Sequence, residues 1–327
     1  MTQTYPSQRW SRRSALAGAL IWLVVVVMPP SEMFRVELIE KLLLLALLVV
    51  VPLGLSLAET ARVSHERHVA LYRVAVFAQP FAAVLALCSF LLPQGVWAAL
   101  LACPWLGATG AAALSGLARL LSKRAMRAEE MCVDAGLVYV SVGGVWLVIS
   151  RLGYQPLGFG DTIVLLTAVH FHYTGFAAPL LAGLAGRRAL AVSSNWTRRV
   201  FAAASTCIIA GTPLVAAGIT LSAPPLGLAG AIVVSTGLWL LAALNLARVV
   251  PALLPSTRAR LLLVVSSVSS IIAMALACAY AYSLVVKRLI INIPHMAMTH
   301  GVMNALGFSL CGLLAWWLAE TSERRDG

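Results

Sequence analysis

The chain has 327 residues, of which 61% are hydrophobic and 11% are charged, and its formal net charge is +12. A water-soluble protein covers its exterior with polar side chains, and so few charges cannot do this for a chain of this length. The composition excludes a soluble enzyme, a disordered protein and a secreted disulfide scaffold, and it predicts an integral membrane protein.

Ten apolar stretches are long enough to cross a bilayer, because about 20 residues at about 1.5 Å per residue span its hydrocarbon core. The first follows a basic N-terminus and lacks a clear signal-peptide cleavage site, so we interpret it as a retained helix. We expect one all-α integral-membrane domain over residues 1–327, a polytopic transmembrane helix bundle. In chain order its predicted helices cover residues 14–30, 41–58, 70–92, 96–117, 131–150, 160–185, 200–221, 226–247, 261–286 and 297–318.

The basic residues between these helices predict the orientation of the chain. If the N-terminus is cytoplasmic, the inner side receives all of the 24 Lys and Arg except Arg35, Lys41, Arg151, Lys287 and Arg288. Cytoplasmic loops of membrane proteins concentrate positive charge, so both termini are expected in the cytoplasm. The same distribution lacks a basic stripe or zinc-finger spacing, which argues against nucleic acid as a partner and for the lipid bilayer.

The polar residues inside the apolar stretches concentrate in two segments. LTAVHFHYTGF at 166–176 occupies the centre of the sixth predicted helix, and THGVMNALGF at 299–308 opens the tenth. A polar group in hydrocarbon costs on the order of a few kcal/mol on insertion scales, so it requires partners or a function. The two segments are therefore the candidate functional site.

Helical geometry separates the side chains of these segments. Residues i and i+2 lie about 200° apart, so His170 and His172 are expected on opposite faces and cannot chelate one ion unaided. One face of the sixth helix is predicted to carry Thr167, His170, Tyr173 and Thr174, and the other Ala168, His172 and Phe176. In the tenth helix His300 and Asn304 are one turn apart.

Imidazole is the side chain that exchanges protons near neutral pH, with an unperturbed pKa of about 6.5. The histidines therefore suit a proton relay, an acid–base pair, or ligation of a metal or haem, although no sequence motif defines a cofactor. A structural role, in which each imidazole joins helices through hydrogen bonds, is the alternative. The candidate proton-relay or acid–base residues are His170, His172, Tyr173, His300 and Asn304, and a metal or haem would use His170, His172 or His300.

Two acidic residues, Asp134 and Asp161, begin predicted helices, and neither reaches the membrane midplane. Asp134 is expected near the inner end of the fifth helix, as an interfacial charge or a proton-handling group, and Asp161 is expected to cap the sixth. With Thr167 and Thr174 they are the candidate solute-binding residues.

At its two polar segments the sequence resembles the YndJ-like family of bacterial membrane proteins, and residues 138–154, VYVSVGGVWLVISRLGY, support this more loosely. The resemblance implies a multi-pass protein of the bacterial cytoplasmic (inner) membrane, often labelled a transporter by similarity, and it implies no defined activity.

Three functions agree with these features. The first, favoured by a loop-poor bundle with a polar midplane, is a proton-linked transporter or permease of a small or lipophilic solute. The second is a membrane-embedded enzyme that uses histidine acid–base chemistry, or a haem or metal, on a lipid or isoprenoid substrate. The third is a scaffold in which the polar residues pack helices. The sequence defines neither the solute nor the oligomeric state.

Overall fold

The computed structural model describes residues 6–29, 36–59, 66–122, 127–192, 194–254 and 256–326. Within these ranges all regular secondary structure is helical, and ten helices are long and apolar enough to cross a membrane. The prediction of an all-α protein with ten spanning helices is therefore confirmed. The helices are α1 (Pro6–Val27), α2 (Leu38–Ala58), α3 (Val69–Ser89), α4 (Val96–Ser122), α5 (Ala128–Leu152), α6 (Asp161–Ala189), α7 (Asn195–Thr220), α8 (Pro224–Val249), α9 (Thr257–Val285) and α10 (Ile293–Ser322).

The largest difference from the predicted bounds is at the start of α1, which begins at Pro6 rather than at residue 14. The additional turns are polar, and Ser7, Gln8 and Ser11 are buried. The Ser7 hydroxyl donates to the Glu59 carboxylate at 2.7 Å. Protein contacts therefore stabilise this part of the helix, and a search for apolar stretches does not detect such contacts.

The contacts within the chain form two compact units, and α5 and α6 contribute residues to both. The N-terminal unit comprises Gln3–Met126 and Asp134–Ala177, and the C-terminal unit comprises Arg127–Val133 and Ala178–Gly327. The single domain and the cytoplasmic location of both termini stay predictions.

In the N-terminal unit α2 forms the core, because every residue from Leu42 to Ala58 is buried. This agrees with its sequence, which is apolar on all sides. Helix α1 crosses it at Gly18, where an added Cβ would lie 1.9 Å from the Leu48 carbonyl oxygen. Only a glycine allows this close approach of the two backbones.

In the C-terminal unit α7 and α8 pack through glycines on both helices. A Cβ on Gly211 or Gly230 would lie within 2.6 Å of backbone atoms of the facing helix, and a Cβ on Gly218 would lie even closer. Helix α8 is joined to α9 by a hydrogen bond from the Trp239 indole to the Ile271 carbonyl at 3.2 Å.

Among the described residues, five π-helical segments interrupt the α-helical hydrogen bonding of four helices. They are Ala46–Val50 in α2, Phe171–Ala177 in α6, Asn245–Val249 in α8, and Ala297–Gly301 and Met303–Leu310 in α10. A π-helical turn bonds residue i to residue i+5, and such turns are frequent at functional sites. Both polar segments of the sequence coincide with π-helical backbone.

Candidate functional site

His172 lies in the interior of the N-terminal unit with both ring nitrogens hydrogen-bonded. Its Nδ1 is 2.7 Å from the Ala168 carbonyl oxygen, and its Nε2 accepts from the Trp105 indole N–H at 2.9 Å. The two rings stack with their centroids 5.7 Å apart. Gly143 of α5 covers the imidazole so closely that a Cβ there would lie 2.6 Å from Nδ1.

These partners define the protonation state of His172. A carbonyl oxygen only accepts, so Nδ1 carries the hydrogen, and Nε2 must be unprotonated to accept from Trp105. A second proton on Nε2 would oppose the indole N–H. The arrangement therefore holds a neutral imidazole that joins α6 to α4, as the structural alternative expects, and it does not favour proton exchange at His172.

We expect Trp105→Phe to destabilise the purified protein by about 1–3 kcal/mol, because the buried His172 Nε2 then has no donor. Thermal unfolding in detergent measures this change. Trp97→Phe is the matched control, since Trp97 is exposed on the same helix. Equal unfolding midpoints for the two variants would show that the indole–imidazole bond contributes nothing.

His170 is exposed, whereas His172 is buried, so the predicted opposite placement of the two histidines is confirmed. The His170 Nδ1 donates to the Leu166 carbonyl at 2.7 Å within its own helix. Thr167 makes the same kind of bond, to the Ile163 carbonyl at 2.8 Å, and Thr174 is half-buried. Of these three residues only His170 is exposed, and the two threonines are half-buried.

Tyr173 departs from the predicted face. It is buried, and its hydroxyl donates to the Leu42 carbonyl of α2 at 2.8 Å. The prediction assumed α-helical spacing, but Tyr173 lies in the π-helical segment of α6, where a wider turn changes the direction of each side chain. Its hydroxyl therefore joins α6 to the core helix.

Asp134 is completely buried and forms an ion pair with Arg119, with 2.7 Å between Oδ1 and the arginine Nε. Of the two roles expected for Asp134, an interfacial charge does not agree with this burial, because α4 continues to Ser122 and places Arg119 inside the bundle. Asp134 precedes Gly143, which covers His172, by nine residues of α5, or about 13 Å along the helix. The ion pair is therefore separate from the histidine.

Asp161 is the first residue of α6 and is exposed, and it accepts from the Gln155 amide at 3.0 Å. The prediction that it caps the helix was wrong, since the capping position is occupied by Gly160. A carboxylate in the first turn still interacts favourably with the helix dipole. Nine residues, about 13 Å of helix, separate it from His170.

The second polar segment belongs to the C-terminal unit. The His300 Nδ1 donates to the Ala273 carbonyl of α9 at 2.8 Å. The Asn304 amide nitrogen lies 3.0 Å from Nε2 and 3.4 Å from Nδ1, so it contacts the face of the imidazole. The predicted neighbours His300 and Asn304 are thus in contact, but, unlike at His172, this contact does not define the protonation state of Nε2.

Metal ligation requires several donors around one point. Among the described residues no three His, Cys, Asp or Glu side chains are grouped in this way. Ligation of a metal or haem through Nε2 of His172 would also require the hydrogen bond from Trp105 to break. His170, the third candidate ligand, is the exposed one.

Three partners of the site were not recognised in the sequence: Trp105, Arg119 and the Leu42 carbonyl. Trp105 follows Pro104 in the middle of α4, far from the membrane surface where indoles usually lie, and this position is a usable signal. The sequence LARLL around Arg119 indicates that the apolar stretch continues beyond the arginine. A carbonyl acceptor has no signal in the sequence.

Comparison with known proteins gives one family. A family model described as "YndJ-like protein" matches residues 41–308, a range that includes both polar segments. The "Uncharacterized membrane protein YndJ" of Bacillus subtilis (strain 168) is 30% identical over 208 residues, which are 64% of this chain and 36% of that protein. The match thus covers about a third of the relative's length. No solved structure matches the chain.

Proposed function

The chain belongs to the YndJ-like family of membrane proteins, and from this premise we propose that it is a proton-linked transporter of a small or lipophilic solute. We place it in the bacterial inner membrane with both termini in the cytoplasm, as the distribution of Lys and Arg favours. The bilayer and the solute are its partners in this proposal.

The observation that carries the proposal is the exposed imidazole of His170. His170 is nine residues from the start of α6, about 13 Å into a hydrocarbon core of about 30 Å. A polar ring is costly against lipid, so such residues usually face a water-filled path or another polar group. An exposed imidazole at this depth suits a path for solute and proton.

The interrupted helices support the same function. Secondary transporters bind solutes near the midplane, at helices whose regular backbone bonding is broken. Here α6 and α10 carry π-helical segments at the histidines, and α2 carries one directly before Pro52. In this mechanism the hydrogen-bonded His172 and His300 hold the helices in place, and His170 exchanges the proton.

Uptake into proteoliposomes that contain a pH-sensitive dye tests the proposal. We expect the protein to couple the entry of some solute to a change of internal pH. His170→Phe should slow this coupled flux by about tenfold or more, because proton transfer by one positioned side chain typically raises a rate by about 10²–10⁴-fold. Leu114→Phe, at an exposed apolar position of α4, controls for insertion.

Solute flux that depends on neither the pH gradient nor His170, for every solute tried, would overturn the proposal. An enzyme acting on a lipid or isoprenoid would instead change the lipid composition of the same vesicles. Mass spectrometry of their lipid extracts before and after incubation separates the two functions.

A further inference from the structure

Helices α9 and α10 are antiparallel and meet along a line of polar and small residues. His300 bonds the Ala273 carbonyl, and further along α10 a Cβ on Gly307 would lie 2.3 Å from the Ser269 hydroxyl. Next, the Ser266 hydroxyl donates to the Phe308 carbonyl at 2.7 Å. Residue numbers in these contacts increase along α10 while they decrease along α9, as expected for antiparallel helices. The contacts therefore form one continuous strip.

Each of these two helices also carries a buried serine. The hydroxyls of Ser270 on α9 and Ser309 on α10 find no partner among the residues that the structure describes, and the two serines are 1% and 0% exposed. An unpaired hydroxyl in an apolar interior is costly, and native proteins usually satisfy such groups with ordered water. Ser270 lies at the level of Asn304, because its neighbours Ser269 and Ala273 face Gly307 and His300.

A third unpaired group comes from α8. The Oδ1 atom of Asn245 is buried, likewise without a partner in the described part of the chain. The Trp239 indole of α8 donates to the Ile271 carbonyl of α9. Asn245 comes six residues after Trp239. Because the two helices are antiparallel, Asn245 lies near the level of residue 265 of α9. Asn245 is therefore about one to two turns from Ser270 along the helix axis, near Ser266.

We propose that Ser270, Ser309 and Asn245, with the water that they bind, form a hydrated proton path in the C-terminal unit, which we call the polar track. The inference goes beyond the proposed function, because it assigns a proton path to residues of the C-terminal unit and not to His170. Separate ordered waters at the two hydroxyls and at Asn245 Oδ1 would satisfy the three groups, since a buried water makes about three hydrogen bonds.

Conduction along such a track leaves every group unchanged. A water or hydroxyl oxygen accepts a proton from one side and releases its own hydrogen to the next oxygen, so one proton enters, one leaves, and no bond is broken in net. The track extends from Ser270 to about residue 265 of α9, or about 8 Å of the membrane.

Proton influx into proteoliposomes of the full chain, driven by a valinomycin-clamped potassium gradient and read by internal pyranine, tests the polar track. We expect Ser270→Ala and Ser309→Ala each to slow the influx about tenfold, the equivalent of one lost hydrogen bond in the barrier. Ser267→Ala is the matched control. Its hydroxyl is buried on the same helix but bonds the Leu263 carbonyl of its own helix at 2.9 Å, so the influx should be unchanged.

Thermal unfolding gives a second, independent result. If Ser270 and Ser309 bind water, removal of either hydroxyl lowers the unfolding midpoint. If their surroundings are dry, removal relieves an unpaired polar group and raises it. A raised midpoint together with an unchanged proton influx would overturn the polar track.

The outcomes distinguish this inference from the proposed function. Solute uptake coupled to the pH gradient but unaffected by Ser270→Ala and Ser309→Ala contradicts the polar track and leaves the transporter. Proton influx that requires both serines, in a protein that couples no solute to the gradient, supports the track and contradicts the transporter.

Discussion

Asp134→Leu is expected to destabilise the N-terminal unit by about 3–5 kcal/mol, because it removes the carboxylate that pairs with the buried Arg119 guanidinium. The charge cannot reach water, since the arginine side chain is 5% exposed. Unfolding by denaturant in detergent micelles measures the loss. Arg119→Met alone should give a loss of similar size, because it removes the guanidinium that pairs with the buried Asp134 carboxylate.

The double variant Arg119→Met/Asp134→Leu separates charge from packing. Replacement of a buried ion pair by apolar residues of similar volume is often neutral or stabilising, so the double variant should recover most of the lost stability. Arg127→Ala is the control at a more exposed pair, Arg127–Glu129, and should cost about 0–1 kcal/mol. A double variant as unstable as Asp134→Leu would mean that lost packing, and not the charge, causes the effect.

The second large effect is expected at the contact of α7 with α8. A Cβ on Gly218 would lie 2.3 Å from the Gly227 nitrogen and 2.4 Å from its Cα. Backbone atoms cannot rotate away, so Gly218→Ala must move the helices apart, at a cost of about 1–3 kcal/mol. Gly218→Val, with its larger side chain, should prevent the native packing of this helix pair.

Gly227→Ala provides the matched control on the facing helix. A Cβ at that position meets no atom within 4 Å, although both substitutions add the same methyl group to a helical glycine. The difference between the unfolding midpoints of the two alanine variants therefore measures the effect of the close approach of α7 to α8 alone. Equal midpoints would show that the helices are not held at this distance.

The ten helices could be predicted because each needs only length and apolar composition, which are local properties of the sequence. Helical periodicity also predicted two features of the site correctly: the opposite faces of His170 and His172, and the contact of His300 with Asn304. These features depend on residues no more than four apart. Neither requires knowledge of the neighbouring helix.

Features that depend on a second helix were not predictable in the same way. Asp134 is distinguished from an interfacial aspartate by its ion pair with Arg119. The predicted end of the fourth helix placed Arg119 in an inner loop. His172 differs from a proton-exchanging histidine only through Trp105, which is 67 residues away. Tyr173 was assigned to the wrong face because no residue pattern indicates where an α-helix widens into a π-helix.

The π-helical segment of α6 has a consequence for the evolution of the chain. A turn closed by i to i+5 bonds holds one residue more than an α-helical turn, so it is equivalent to an insertion of one residue. Relatives whose sixth helix is regular should align with a single-residue gap inside 171–177. Deletion of Thr174 would rotate the start of α6 by about 100° relative to its end and turn His170 away from its present side.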